Sequence, residues 1–333
     1  MPDKNVAQGR SLFVVLVALA ADLCLTVFKF VAAALTGSSS MLAEGFHSIS
    51  ETANQALLLQ GHASARREES PRHQFGYSRE RYFWALVVSF LIFGVGSVAA
   101  LFEAYNKLRS GEPLTDPRWA YGVLAAALLL DGGSFLVARR QAQRERRESV
   151  AEYVRESKNP EVAVVLLQDA GAVVGTVIAF VAITLSMVTG EPAFDAAGSA
   201  AIGILLGAVA FTLVWRVKSL LIGEAAPEDE FEAIRRMIVA HPSVRELISL
   251  RTLYHGPDDL LVDAQVRFDD DMRFREIAHA IDEIEQAIRS EIAAARIVSI
   301  EPAVPQDGDP DVPAWQRELR AGRTGPGGSA LVP

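Results

Sequence analysis

His47 and Glu51 stand four residues apart in the stretch from Ser40 to Gln60, SMLAEGFHSISETANQALLLQ. A four-residue step stacks two side chains on one face of a helix. An imidazole beside a carboxylate belongs to the donor set that borderline divalent cations take, Zn²⁺ first, with Mn²⁺ and Fe²⁺ also served. The stretch is helix-length and apolar, and an ionisable pair inside a membrane span is costly, so by default it marks a site. Other polar residues fall inside comparable runs: Asp22 and Lys29, Asn54 and Gln55, Asp131, Gln168 and Asp169, and Asp195. Hydrocarbon offers them no partners, so they should face a bundle interior. Asp169, near the middle of its run, can supply a third ligand from a facing helix. Asp22, Asp131 and Asp195 come one per run and read as structural pairs.

The elements that must position these residues are spans. Half of the 333 residues are apolar, and long apolar runs fill the chain to about Ile222. They cover Ser11 to Leu35, the stretch above, Arg81 to Tyr105, Trp119 to Val137, Val162 to Val188 and Ala193 to Val217. TGSS at 36 to 39, Pro113 with Pro117, and TGEP at 189 to 192 break them. Lys and Arg crowd alternate connectors: Arg66, Arg67, Arg72, Arg79 and Arg81 in one, seven more between Arg139 and Lys158, against Lys107, Arg109 and Arg118 on the other side. The positive-inside rule then predicts six spans with both termini in the cytoplasm. No signal peptide is apparent, and a bacterial plasma membrane is the expected location.

After Ile222 the pattern changes. Residues 223 to 333 hold 22 acids and 12 bases, against 19 and 20 before the border, so the formal charge of -9 comes from the C-terminal part. That argues against nucleic acid as a partner, because phosphate binding needs clustered Lys and Arg. The single cysteine, Cys24, excludes an internal disulfide and an all-cysteine metal site. Glu228 to Ala240 and Arg273 to Ala293 have helical periodicity; Glu246 to Tyr254, Leu260 to Phe268 and Ile297 to Ile300 alternate like strands. The expected fold is a six-helix membrane protein with a cytoplasmic α-β-β-α-β, ferredoxin-like domain. The divisions are a lead at 1–10, the transmembrane domain at 11–222, the cytoplasmic domain at 223–302 and a disordered tail at 303–333.

GSSSMLAEGFHSISETANQ, HQFGYSRERYFW and VVLLQDAGAVVG together resemble the cation diffusion facilitator family of proton-coupled divalent-metal exporters. The likeness covers nearly all of Ser11 to Pro302. It implies a metal site with a His or Asp and an acid four residues apart in the second span, matched by His47 and Glu51, and the same spacing in the fifth. There Asp169 matches the acid, but Val165 stands four residues earlier and cannot bind metal. A fourth ligand can be water, Asn54 or Gln168. The pattern is most similar to the branch that contains the mitochondrial zinc exporter, which makes Zn²⁺ the expected cargo, with Mn²⁺, Fe²⁺ or Co²⁺ open. His73 matches a loop position that binds a second metal in some relatives, though Tyr77 replaces the histidine that often follows. Ser299 stands where the closing strand of relatives often has histidine, so no dedicated metal cluster is expected in the C-terminal domain.

The resemblance implies a secondary transporter rather than an enzyme, exchanging metal for protons by alternating access in a lipid bilayer, as a homodimer. The rival from another class is a metal sensor or scaffold that binds without transporting. A membrane-embedded hydrolase is disfavoured by the lack of HExxH and of a second histidine in any span.

Overall fold

The computed structural model describes residues 22–115, 118–145, 153, 154 and 157–304. The predicted N-terminal lead, the start of the first span, part of the basic connector and the tail from residue 305 lie outside the described residues. The chain divides into two compact units, the first ending at Ile222 and the second beginning at Gly223.

In the first unit, six helices are present among the described residues. α1 runs over residues 22–36 and α2 over Ser39–Ala65. α3 spans Glu80–Ser110, α4 Arg118–Glu145, α5 Pro160–Thr189 and α6 Ala193–Ile222. Four meet the length and apolarity of a membrane span: Glu80–Ser110, Arg118–Val137, Pro160–Thr189 and Ala193–Ile222. α1 is described only in part, and the apolar character of α2 is diluted by the ionisable and amide side chains singled out above. Together they form the apolar transmembrane domain expected from the sequence.

The boundaries have local causes. Gly37 and Gly190 take φ of 63° and 74°, a left-handed turn that glycine adopts without strain, and so end α1 and α5. Pro160 opens α5 at a position where no amide donor is needed, with the Asn159 side chain capping it. The middle of α3, Ile92–Val98, is a π-helical segment that the sequence pattern did not foretell. It lets Ser97 approach Gly207 of α6: a Cβ on that glycine would lie 3.0 Å from the Ser97 hydroxyl. A Cβ on Gly203, one turn earlier, would meet Leu101 at 2.8 Å.

α2 packs against α3, α5 and α6, and α5 against both α4 and α6. The apolar core, with Met41, Tyr82, Ile92, Leu124, Val164, Ile183, Ile202 and Leu206 among its buried members, surrounds the polar side of α2. Near the start of α5, Arg81 of α3 makes two parallel hydrogen bonds to Glu161, 2.7 Å each, a fork-to-fork geometry that adds direction to charge.

The second unit is the expected α-β-β-α-β. Its elements are α7 (Glu228–Val239), β1 (Val244–Gly256), β2 (Asp259–Phe268), α8 (Phe274–Glu291) and β3 (Ala295–Pro302). β2 is central, antiparallel to β1 and parallel to β3, with Leu250 opposite Ala264 and Ala264 opposite Ile300. Ile234, Ile238, Ile284 and Ile288, from the helical stripes read in the sequence, pack on Leu250, Val262 and Val298 of the sheet.

Candidate metal centre

The helix that carries His47 and Glu51 is fixed at its first turn. Ser38 caps it by accepting from the Met41 amide. Asp195, from the first turn of α6, does the rest. Its Oδ1 accepts from the Ser38 hydroxyl at 2.7 Å, the Ser40 amide at 3.3 Å and the Ser40 hydroxyl. Its Oδ2 accepts from the Ser39 amide at 2.6 Å and the Ser39 hydroxyl at 3.1 Å. An acid from a neighbouring helix thus sits on the positive end of the α2 dipole and meets its orphan amides. Asp195 is fully buried and saturated.

About 13 Å along the axis from Ser38 the character of the buried face changes. His47 Nε2 lies 3.3 Å from Glu51 Oε1, the contact that the four-residue spacing predicts. The imidazole is 1% exposed, and neither of its nitrogens has a hydrogen-bond partner, so the contact is electrostatic and not an aligned bond. Asn54, one turn beyond Glu51, is equally buried, and both its amide atoms are unpartnered. A buried polar group left unpaired costs about 1–3 kcal/mol. His47, Glu51 and Asn54 occupy one helical face, and that face carries this cost where Asp195 avoids it.

On the facing side, Asp169 of α5 accepts a 2.6 Å hydrogen bond from the Ser134 hydroxyl of α4, and Glu51, Asp131 and Asp22 act on it electrostatically. Gln168 is buried with its Nε2 unpartnered. Val165 packs against the apolar core. Among the described residues, no three His, Cys, Asp or Glu side chains gather closely enough to hold a metal ion. The structure therefore brings His47 and Glu51 together, while Asp169 is within range of the Glu51 charge and bonded to Ser134. Nearer the C-terminal end of α2, Gln55 donates to Asp22 at 2.6 Å.

The remaining histidines are placed differently. His73 is exposed in the loop between α2 and α3, its ring 4.6 Å from that of Tyr77 between centroids. In the second unit His241 Nε2 and His279 Nδ1 approach the two oxygens of Glu283 at 3.0 and 3.4 Å. His241 Nδ1 accepts from the Ser243 amide, so Nε2 carries the proton that goes to Glu283 and presents no lone pair to a metal. That hydrogen bond holds the Glu283 carboxyl below its ordinary pKa, against an opposing desolvation.

Two polar features were not singled out from the sequence: Glu44, and its ion pair with Lys29 at 3.0 Å, both side chains fully buried. The available signal was the seven-residue step from Glu44 to Glu51, which repeats a helical face, together with an unmatched lysine in the preceding span.

Comparison with known proteins accounts for both units. Residues 15–222 match the cation efflux transmembrane domain, and residues 226–303 match the cytoplasmic domain of cation efflux proteins. The mitochondrial proton-coupled zinc antiporter SLC30A9 of Xenopus laevis is 34% identical over 259 residues, 77% of this chain and 46% of the relative. Metal tolerance protein C4 of Arabidopsis thaliana is 30% identical over 240 residues, 71% of this chain and 52% of the relative. The cation-efflux pump FieF of Pectobacterium atrosepticum is 26% identical over 307 residues, 90% and 93% of the two chains. The chain thus spans about half the length of the first two relatives and nearly all of the third.

Proposed function

We propose, from the premise that this chain belongs to the cation efflux family, that it exports a divalent cation, Zn²⁺ in the first place, in exchange for protons. The observation that carries the reading is the His47–Glu51 contact, buried midway along a span helix, with both imidazole nitrogens and the neighbouring Asn54 amide unpartnered. Neutral imidazole nitrogen, carboxylate oxygen and amide oxygen are a donor set that zinc accepts. Glu51 and Asp169 bring the charge that a dication needs, and Asn54 or Gln168 stands where Val165 cannot serve. The names of the zinc antiporter relatives support the choice of metal.

Exchange follows from competition for the same lone pairs. Imidazole and carboxylate must be deprotonated to hold metal, so a site that opens to a more acidic compartment releases it. Imidazole titrates near neutral pH, which makes His47 the proton acceptor of the cycle. Asp169 would leave Ser134 to join the ligands as α4 and α5 shift against α2. The Lys and Arg distribution of the connectors supports cytoplasmic termini. The match of residues 226–303 to the family's cytoplasmic domain supports the same side for the second unit and pairing of two chains through it.

Proteoliposome uptake of Zn²⁺ under a pH gradient tests the reading. Wild type transports, and Asp169→Ala reduces uptake at least tenfold; equal uptake by the two proteins refutes the site.

A further inference from the structure

The bundle interior gathers more carboxyl groups than the His47–Glu51 pair uses. Among the described residues, Asp22, Glu44, Glu51, Asp131 and Asp169 all enter one electrostatic neighbourhood. A single ammonium, that of Lys29, stands among them. It is fully buried, 3.0 Å from Glu44 Oε2 and 3.9 Å from Asp131 Oδ2, and it donates to the Ser48 hydroxyl at 2.8 Å. The Thr176 hydroxyl donates to the same Glu44 oxygen at 3.3 Å. Glu44 Oε1 is buried with no partner, against Gly175, where any side chain would collide with it; Asp131 Oδ2 has no hydrogen bond either.

Two carboxylates and the Ser48 hydroxyl, from α2 and α4, stand around one ammonium, with Thr176 of α5 bonded to the Glu44 oxygen that faces it; they make an oxygen-lined cation position, in this structure filled by a side chain of α1. Its depth follows from helix direction. The cytoplasmic domain begins where α6 ends, so the first turn of α6, with Asp195, lies at the non-cytoplasmic end. Asp195 holds the first turn of α2 there. Glu44 comes three residues before His47, about 4.5 Å nearer that end. A metal ion leaving His47 and Glu51 in the export direction meets this position next.

We propose that Glu44, Asp131, Ser48 and Thr176 form a second cation position on the exit side of the His47–Glu51 pair, and that Lys29 is a tethered cation that fills it and keeps departing metal from settling there. The ammonium has a fixed high local concentration, so it competes with metal without leaving the protein. It also acts electrostatically on His47 and Glu51, limiting how tightly they hold a dication. The direction of passage rests on the export reading; the presence of the position does not.

Zinc binding to the full-length chain in detergent, by calorimetry, and zinc uptake in proteoliposomes test this. Wild type binds one Zn²⁺ per chain at the His47 site; if His47→Ala binds as much, the export site itself is wrong, and that result is separate. Lys29→Met is expected to bind a second Zn²⁺, with uptake KM and maximal rate both lowered about tenfold, because a metal ion replaces the ammonium. Lys29→Met/Glu44→Gln, which has the wild-type net charge at this position, returns to one Zn²⁺. A folded Lys29→Met that still binds one Zn²⁺ with unchanged KM overturns the proposal. Should Lys29→Met fail to fold, Glu44→Gln is compared with the double variant. The ammonium of Glu44→Gln, left with Asp131 alone, raises KM about tenfold above that of the double variant, and equal values overturn the proposal.

Discussion

α2 carries two buried polar sites about 13 Å apart, and they are satisfied in opposite ways. At its first turn the Asp195 carboxylate accepts five hydrogen bonds, from three serine hydroxyls and two amides. At its middle, His47 and Asn54 are as deeply buried and accept none. Both belong to one helix in one apolar setting, so burial alone does not separate a structural group from a binding group. Saturation does. A buried anion with every lone pair engaged is a fastening, whereas buried donors and acceptors left open hold a cost that an incoming ion can relieve.

The largest effect that would break this contrast is at the fastening. Asp195→Ala strands the serine hydroxyls and the α2 amides in an apolar interior, and is expected to destabilise the chain by about 3–5 kcal/mol. Thermal unfolding in detergent measures it, and a shift no greater than that of His47→Ala would show that the cap is not structural. His47→Ala should do the reverse. It removes an imidazole without bonds, so unfolding of the zinc-free protein changes by at most about 1 kcal/mol, while zinc uptake falls at least a hundredfold. If instead His47→Ala unfolds the protein as readily as Asp195→Ala, the imidazole belongs to the fold and not to the cargo.

A smaller effect sharpens the contrast at Asn54. Replacing its unpartnered amide with Leu, similar in size, takes away buried polar atoms that the empty site does not satisfy. The zinc-free chain should gain about 1 kcal/mol, and zinc affinity should drop if the amide oxygen is a ligand. Stabilisation with unchanged zinc affinity would remove Asn54 from the ligand set and leave Gln168 or water.

Much of this was legible in the sequence because the signals are local. Apolar run lengths placed the span helices, with ends up to eight residues off at Glu145 of α4, and helical periodicity placed α7 and α8, because both depend on a repeat within one segment. The His47–Glu51 contact was legible for the same reason. What depends on a second segment was not. Asp195 looked like any acid at a span end until the Ser38–Ser40 turn was found on it. Lys29 and Glu44 are 15 residues apart across a turn, and no periodicity within either helix points to their pairing. The π segment at Ile92–Val98 accompanies the close approach of α3 to α6, a tertiary arrangement with no signature in IFGVGSV.

The third polar arrangement, Glu283 between His241 and His279, is the exposed counterpart of the other two, and it should show how little partnership is worth in water. Its carboxyl has a lowered pKa because His241 donates to it. A lowered folded-state pKa means that the charged form is favoured by folding. The contribution is therefore complete above the ordinary value of 4.5 and is lost as pH falls through the lower folded-state value. Glu283→Gln should then unfold at a slightly lower temperature than wild type at neutral pH, and the two curves should converge below about pH 4.5. Side-chain screening by solvent keeps the shift far smaller than that of Asp195→Ala. A difference that persists well below about pH 4.5, where Glu283 is protonated in folded and unfolded chains alike, would show that its charge is not what the two histidines hold. A Glu283 effect as large as that at Asp195 would mean that saturation counts equally in water and in the bundle, and the reading of His47 as an open site would lose its physical basis.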